Sequence, residues 1–184
     1  MSYRKVRALQ PCTNSVQNLV LRQQFALKFL QLDLSETVVI NIDESWLGMS
    51  AFRHTKWCLP RETNTVAKLT VQPRITMIVA LDSRGGGHLS LLQANSNATT
   101  FSTYLQHYIR MLDSARPGWR KNTVLLLDNA PYHRSGAVMK LLREEAVPLL
   151  FTGPYSFSAA PVELYFAAFK RADINPRHLP TGKK

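Results

Sequence analysis

Apolar positions along the chain follow two periodicities, which together predict an alternation of strands and helices. Runs rich in β-branched and aliphatic residues predict strands at 37–43, 74–82, 88–94, 123–128 and 147–151. Helical spacing predicts helices at 14–32, 98–112, 135–146 and 161–171. The third of the strands is followed by the clearest helical stripe, which comprises Phe101, Tyr104, Leu105, Tyr108, Ile109 and Leu112.

Two of the predicted helices have identifiable apolar faces. The first, which Asn14 or Ser15 would cap, has an imperfect face made by Val16, Leu19, Ala26 and Leu30. The last begins at Pro161, which suits a first turn, and its predicted inner face consists of Val162, Phe166 and Phe169.

The order of the elements predicts an α/β fold with a mixed sheet. Three strands joined by hairpins come first, and helices then alternate with the remaining two strands. The strand at 123–128 is apolar on both faces, as expected of a central strand covered by helices. "SRGGG" at 83–87 predicts a hairpin turn, since no phosphate-loop motif is present. The segment between Trp46 and Trp57 is predicted to be a further hairpin or a β-extension.

Composition narrows the class of protein. The chain has 184 residues, 45% of them hydrophobic, which is enough for one domain with a core. No apolar run reaches the roughly 18 residues of a membrane span, and no secretion signal precedes the first helix. Two cysteines, Cys12 and Cys58, form no framework of disulfides. We therefore expect an intracellular protein without a membrane anchor.

Charge indicates the kind of partner. Lysine and arginine number 23 against 12 acidic residues, which gives a net charge of +11. Such a balance favours a polyanion, because basic side chains bind phosphates and release counterions. Nucleic acid is the expected partner, although a basic surface also serves solubility alone.

Three acidic residues lie at the ends of predicted elements in this basic chain. Asp43 ends the first strand, Asp128 ends the fourth, and Glu163 lies in the first turn of the last helix. A crossover that sets the first and fourth strands side by side would bring all three together. Grouped carboxylates commonly bind divalent metal, and two such ions can promote in-line phosphoryl transfer. Taken singly, each acid could instead form a turn, pair with an arginine or stabilise a helix terminus.

The sequence motifs around these acids resemble those of the mariner-like DDE transposases of the retroviral-integrase superfamily. "INIDESW" resembles the first-acid strand of that family, and "LLLDNAPYH" the second-acid strand with its histidine. "PYS" followed by "PVELYFAAFK" resembles the last-acid motif, and 34 residues separate Asp128 from Glu163, an interval characteristic of one large branch. "NLVLRQQFALKFL" is similar to the segment that links the DNA-binding region to the catalytic core.

The resemblance implies a ribonuclease H-like fold and a catalytic triad of Asp43, Asp128 and Glu163. These residues would bind Mg²⁺ or Mn²⁺, with two ions expected. The reaction would be hydrolytic cleavage at a transposon end, followed by attack of the freed 3′ hydroxyl on target DNA. His133 is implied near the metal site, where it would touch phosphate or be satisfied by a backbone carbonyl. Lys170 and Arg171 are expected to contact DNA or to be solvated.

The same resemblance implies a domain organisation and an assembly, and it leaves two alternative functions open. Residues 1–35 would form a basic helical linker and 36–184 the catalytic domain, with an upstream DNA-reading region expected but missing. A homodimer or larger synaptic complex is implied, located in the nucleus if the host is eukaryotic and in the cytoplasm otherwise. The alternatives are a domesticated DNA-binding protein without catalysis, and a ribonuclease H-like nuclease without strand transfer. Ala160 stands where the family commonly has Asn, so an Asn that would brace the Glu163 helix is absent.

Overall fold

The computed structural model describes residues 11–47, 75–156 and 159–172. Within these ranges five strands and four α-helices alternate as the sequence predicts. The strands are β1 (Val38–Leu47), β2 (Ile75–Asp82), β3 (Gly87–Leu92), β4 (Thr123–Leu127) and β5 (Leu149–Phe151). The helices are α1 (Val16–Leu30), α2 (Ala98–Ala115), α3 (Gly136–Glu144) and α4 (Pro161–Ala172). No described helix is both long and apolar enough to cross a membrane.

The strands form one mixed sheet in the order β3-β2-β1-β4-β5. β2 is antiparallel to both β1 and β3, whereas β1 pairs with β4 and β4 with β5 in parallel. β2 and β3 are joined by the predicted glycine-containing turn, in which Gly85 has a φ of +93°. The predicted mixed sheet is confirmed, and β1 and β4 are both central in it. The predicted hairpin between Trp46 and Trp57 lies almost entirely outside the described residues.

Helices cover both faces of the sheet. The larger core lies between the sheet and the helices α2 and α3, and it buries the whole predicted stripe of α2. The smaller core lies on the opposite face, where Val162 and Phe166 of α4 pack on Met77 and Val79 of β2. Each such buried side chain stabilises the fold by roughly 1.5–3 kcal/mol, so α4 is held firmly on the sheet. The predicted inner face of α4 is confirmed, with Phe169 packing at its edge.

Two predictions about the first elements need correction. β1 continues to Leu47, so Asp43 lies inside this strand and not at its end. The predicted apolar face of α1 is not buried: Val16 and Leu30 are each 78% exposed. The half-buried positions of α1 are instead Asn18, Arg22, Phe25 and Phe29, which share one helical face. The apolar pattern of α1 was too weak to identify the covered face. That face includes Arg22, which packs closely on Gly153.

Candidate active site

Asp43 and Asp128 are neighbours because β1 and β4 are parallel and in register. The ladder pairs Asn41 with Leu126, and the two acids lie two residues further along each strand. Side chains two apart project from the same face, here the face that α4 covers. The predicted crossover therefore brings the first two acids together.

Glu163 reaches the same place from α4. It lies in the first turn of the helix, directly after Val162, which is fully buried against the sheet. Asp128, Glu44 and Glu163 are all close enough to repel the charge on Asp43. Asp43 is therefore close to both Asp128 and Glu163, although each of the three predicted acids comes from a different element.

The electrostatics of Asp43 are set first by its burial and then by the acidic side chains near it. Burial, together with the charges of Asp128, Glu44 and Glu163, raises the pKa of Asp43 to about 7. A hydrogen bond from the backbone N–H of Glu44, at 2.8 Å, opposes the shift without cancelling it. Among the described residues, no group of three or more Asp, Glu, His or Cys side chains is placed so that it could hold a metal ion without rearrangement. The carboxylates are thus neighbours with an excess of negative charge.

His133 lies beneath the cluster and contacts two carboxylates. Its ring is fully buried, with Nδ1 2.6 Å from Asp128 Oδ1 and Nε2 3.1 Å from both oxygens of Glu44. Burial disfavours the charged imidazolium, but the hydrogen bonds to Asp128 and Glu44 outweigh it and raise the pKa of His133 to about 9. Both ring nitrogens therefore carry protons at neutral pH and donate to the carboxylates.

The hydrogen bond from His133 also affects the protonation state of Asp128. Burial alone would raise its pKa, but hydrogen bonds from His133 and from the backbone N–H of Ala130 lower it below the usual value. Both bonds end on Oδ1, and no described residue donates to Oδ2. Asp128 is therefore ionised, and one of its oxygens is available to another partner.

Glu44 anchors this arrangement from the other face of the sheet. Its side chain is 2% exposed and accepts a hydrogen bond of 3.0 Å from the hydroxyl of Tyr132, besides those from His133. The rings of Phe101 and Tyr132 pack on the imidazole of His133, with centroids 4.1 Å and 4.5 Å away. A buried carboxylate with these partners is a fixed support for His133.

The structure places the remaining predicted residues as follows. His133 is satisfied by carboxylates and not by a backbone carbonyl, and its full burial does not support the predicted contact with phosphate. Asn129 donates its side-chain amide to the carbonyl of Thr152, which ties the exit of β4 to the residue after β5. Lys170 and Arg171 belong to the last turn of α4, but their side chains lie outside the described part of the chain.

Two residues of the site were missed by sequence reasoning, Glu44 and Asn41. Glu44 follows Asp43 directly, and an acid inside a strand that continues on both sides was the available signal. Asn41 is buried in β1 and hydrogen bonds with both β4 and α4. Its signal was a lone amide within the apolar run 38–42.

Comparison with solved structures identifies the fold. The Mos1 transposase in a paired-end complex with the left transposon end has a TM-score of 0.66 and 22% identity, over 92% of this chain and 52% of that one. The catalytic domain of Mos1 mariner transposase has a TM-score of 0.59 and 21% identity, over 88% and 71% of the two chains. The fold is therefore ribonuclease H-like, as predicted. The chain spans about half the length of the full transposase chains it matches.

The family is established by a match at the level of sequence. Residues 38–184 match the family described as DDE superfamily endonuclease, and the chain belongs to that family. Among curated proteins none is similar enough to count as a match. The predicted resemblance to mariner-like DDE transposases is confirmed at the level of family and fold.

Proposed function

We propose that this chain is the catalytic domain of a mariner-like DNA transposase. It would cleave DNA by hydrolysis and then join the freed 3′ hydroxyl to target DNA. The observation that carries the proposal is the grouping of Asp43, Asp128 and Glu163, which reach one place from β1, β4 and α4. Three carboxylates from separate elements, in a chain with a net charge of +11, match the chemistry of phosphodiester cleavage better than any structural role for each acid alone.

Asp43, Asp128 and Glu163 would hold two Mg²⁺ or Mn²⁺ ions. Carboxylate oxygens suit these hard cations, which also keep water and substrate oxygens as ligands. The fit is supported by the raised pKa of Asp43, which burial and, to a smaller degree, the charges of Asp128, Glu44 and Glu163 produce. A divalent cation would stabilise the ionised form of Asp43 against both effects. When bound, the ions would stabilise the attacking and leaving oxygens of an in-line displacement. Solved Mos1 structures include complexes with Mn and with Mg.

The protein side chains would contribute rigidity and placement. β1 carries Asp43 and β4 ends directly before Asp128, and the parallel ladder that joins these strands up to Asn41 and Leu126 would limit the separation of the two acids. His133 holds Oδ1 of Asp128 and leaves Oδ2 for a ligand. Such fixed positions lower the barrier by orienting reacting groups before the reaction begins.

DNA would be held through its phosphates. The chain carries a net charge of +11, and a groove between α1 and β5 is lined by Lys28, Asn129 and Arg134. Asn129 directly follows Asp128 in the chain, so a DNA backbone in this groove would pass near that acid. Lys170 and Arg171 remain candidates for further phosphate contacts. Transposon ends and target DNA are the proposed substrates, by analogy with Mos1 structures described as paired-end and strand transfer complexes.

The organisation of the whole protein is part of the same proposal. Residues 36–184 would form the catalytic domain and 1–35 a basic linker, and a homodimer or larger complex would hold two DNA ends. Such an enzyme would act in the nucleus of a eukaryote or in the cytoplasm of a prokaryote.

Metal binding tests the site directly. Mn²⁺ is titrated calorimetrically into the 184-residue chain at pH 7.5, and the Asp128→Asn variant is compared with Glu144→Gln. Asp128→Asn should weaken binding by more than the roughly 10- to 100-fold typical of outer-shell changes, whereas Glu144→Gln, on the exposed side of α3, should not. If the wild-type chain binds no Mn²⁺ at millimolar concentration, with or without duplex DNA, the proposal fails.

Analysis of the DNA products separates the proposed function from its two alternatives. The chain is incubated with Mn²⁺, supercoiled plasmid and a labelled duplex that has a free 3′ hydroxyl. Nicked plasmid joined to label indicates strand transfer, and nicking without joining indicates a nuclease. DNA binding without either product, unchanged in Asp128→Asn, indicates a domesticated binding protein.

A further inference from the structure

Asn41 is a buried amide in an apolar setting. It is 3% exposed and lies on the face of β1 that α4 covers, where its cross-strand partner Leu81 and its hydrogen-bond partner Val162 both belong to the apolar cluster. A polar side chain in such a place costs stability unless its hydrogen bonds are made. The contacts of this amide therefore indicate what it does for the fold.

Both ends of the amide are bonded, and the bonds reach two different elements. Nδ2 donates to the carbonyl of Leu126 in β4 at 3.2 Å, and Oδ1 accepts from the backbone N–H of Val162 in α4 at 3.0 Å. The orientation of the amide is fixed by these partners, because a carbonyl can only accept and an N–H can only donate. A side chain of this length with one donor and one acceptor is required here.

These partners are the close neighbours of the three proposed metal ligands. Asn41 precedes Asp43 by two residues, and Leu126 precedes Asp128 by two. Val162 directly precedes Glu163. One side chain thus connects the three elements that carry the acids, at a point just below them.

The start of α4 needs this contact. Ala160 precedes the helix and has no side-chain acceptor for its first N–H groups, and Pro161 has no N–H at all. The N–H of Glu163 bonds to the carbonyl of Ala160, but the N–H of Val162 has no partner within the helix. Oδ1 of Asn41 therefore caps α4 from a neighbouring strand, a role that a residue at position 160 would ordinarily have.

We propose that Asn41 is the positioning residue that fixes Glu163 relative to Asp43 and Asp128. The inference rests on the proposed function, since it assigns Asn41 to the assembly of that same metal site. Without the cap, the first turn of α4 would fray. Glu163 would then lose its fixed distance from the two strand acids, although the side chains of all three acids would be intact.

The test compares two variants of Asn41 that differ in what they retain. Asn41→Leu has a similar volume and neither hydrogen bond, while Asn41→Asp keeps the acceptor for Val162 and loses the donor to Leu126. A third variant adds Ala160→Asn to Asn41→Leu and gives α4 a cap of its own. Thr76→Val is the matched control, because it removes one buried hydrogen bond, to the carbonyl of Ala94, from the same sheet without changing size much.

The first readout is the exchange rate of the Val162 amide proton, measured by NMR without metal. Asn41→Leu should raise this rate by about fivefold, since a capping contact is typically worth on the order of 1 kcal/mol. Asn41→Asp should raise it less, and Ala160→Asn should restore much of the protection. Thr76→Val should leave the rate near that of the wild type.

The second readout is Mn²⁺ affinity. Asn41→Leu should weaken binding by roughly 10- to 100-fold, as is typical when a residue that orients a metal ligand is replaced. Ala160→Asn should recover part of the loss. Thr76→Val should retain wild-type affinity despite a similar loss of stability. Equal affinities in Asn41→Leu and wild type, or equal losses in Asn41→Leu and Thr76→Val, would overturn the positioning role.

The two readouts distinguish failure of this inference from failure of the proposed function. If the wild-type chain binds no Mn²⁺, the proposed function fails, and the assignment of Asn41 to a metal site fails with it. The capping contact is tested independently of metal binding, because the exchange rate of the Val162 amide proton is measured without metal. If exchange is unchanged in Asn41→Leu, the inference fails even where metal binding is observed.

Discussion

Asp43 and Glu44 are consecutive in β1 and serve opposite faces of the sheet. Asp43 lies on the α4 face beside Asp128 and Glu163, whereas Glu44 contacts Tyr132 and His133 on the face that α2 covers. Strand alternation makes this unavoidable for adjacent residues. His133 connects the two systems, because it bonds both to Glu44 and to Asp128. The site therefore has a buried, hydrogen-bonded support on one face and a cluster of acidic side chains on the other.

Removing His133 should destabilise the protein strongly. In His133→Ala, Glu44 would remain buried without its cationic partner, and loss of one member of a buried pair typically costs about 3–5 kcal/mol. Urea denaturation measures the effect. Glu144→Ala is the control, since it removes an exposed contact with Lys140, with N and O 3.8 Å apart, and such pairs contribute less than about 1 kcal/mol. Similar midpoints for the two variants would contradict the assigned role of His133.

The stability of the wild-type protein should fall as pH rises from 7.5 to 9. The pKa of His133 is raised from 6.5 to about 9 on folding, so the native state binds more protons than the unfolded state between these values. The stabilisation from protonated His133 is complete below pH 6.5. It decreases as the pH rises to about 9, and the free energy of unfolding falls by up to about 3 kcal/mol. The raised pKa of Asp43 also makes the folded protein less stable as pH rises, but this effect ends near pH 7.

Urea denaturation at a series of pH values checks this expectation. The slope between pH 7.5 and 9 should be much smaller in Glu44→Gln, which keeps a side chain of the same size but removes one of the two charges that raise the pKa of His133. A flat wild-type profile in this range would mean that His133 is neutral in the folded protein.

The fold was predictable because its elements have local patterns. The stripe from Phe101 to Leu112 and the apolar run before Asp128 each indicate one element and its buried face without knowledge of the rest. The closeness of Asp43 to Asp128 and Glu163 was predictable from the expected strand order and the spacing of the acids, although β1 continues past Asp43. Their roles as metal ligands remain a prediction.

The supporting residues were not predictable, for a physical reason. Asn41 bonds with Leu126 and Val162, 85 and 121 residues away, and His133 bonds with Glu44 across 89 residues. Such contacts depend on strand order and helix docking, and no local periodicity encodes them. The covered face of α1 was missed similarly, since it depends on the approach of Arg22 to Gly153.

Asp43 should titrate near pH 7 in the absence of metal. Burial and the charges of Asp128, Glu44 and Glu163 raise its pKa, so Glu163→Gln should lower this pKa but leave it above 3.8, because burial persists. Carboxyl ¹³C NMR of the labelled protein follows the titration directly. Glu144→Gln serves as the distant control and should not change the midpoint. A midpoint near 4 in the wild type would remove the charge argument for the metal site.

Mn²⁺ binding should strengthen with pH, because a proton and a metal ion compete for Asp43. Below pH 7 the affinity should rise about tenfold per pH unit for one released proton, and above pH 8 it should level off. Calorimetry in buffers of different ionisation enthalpy counts the released protons. No proton release at pH 6 would show that Asp43 is not a ligand or is already ionised.

Gly153→Ala should detach α1 from the sheet without unfolding the core. A Cβ at position 153 would lie 2.7 Å from Cγ and 2.8 Å from Cα of Arg22, so the backbone of α1 must move. Because no residue of α1 is buried, moving this helix sacrifices little core packing. We expect faster amide exchange throughout α1, and a global stability loss smaller than the roughly 1–3 kcal/mol of an overpacked core. Gly136→Ala, where a Cβ meets nothing within 4 Å, is the control and should be neutral or slightly stabilising. If Gly153→Ala instead unfolds the whole protein, α1 is integral to the catalytic domain and the predicted boundary after residue 35 is misplaced.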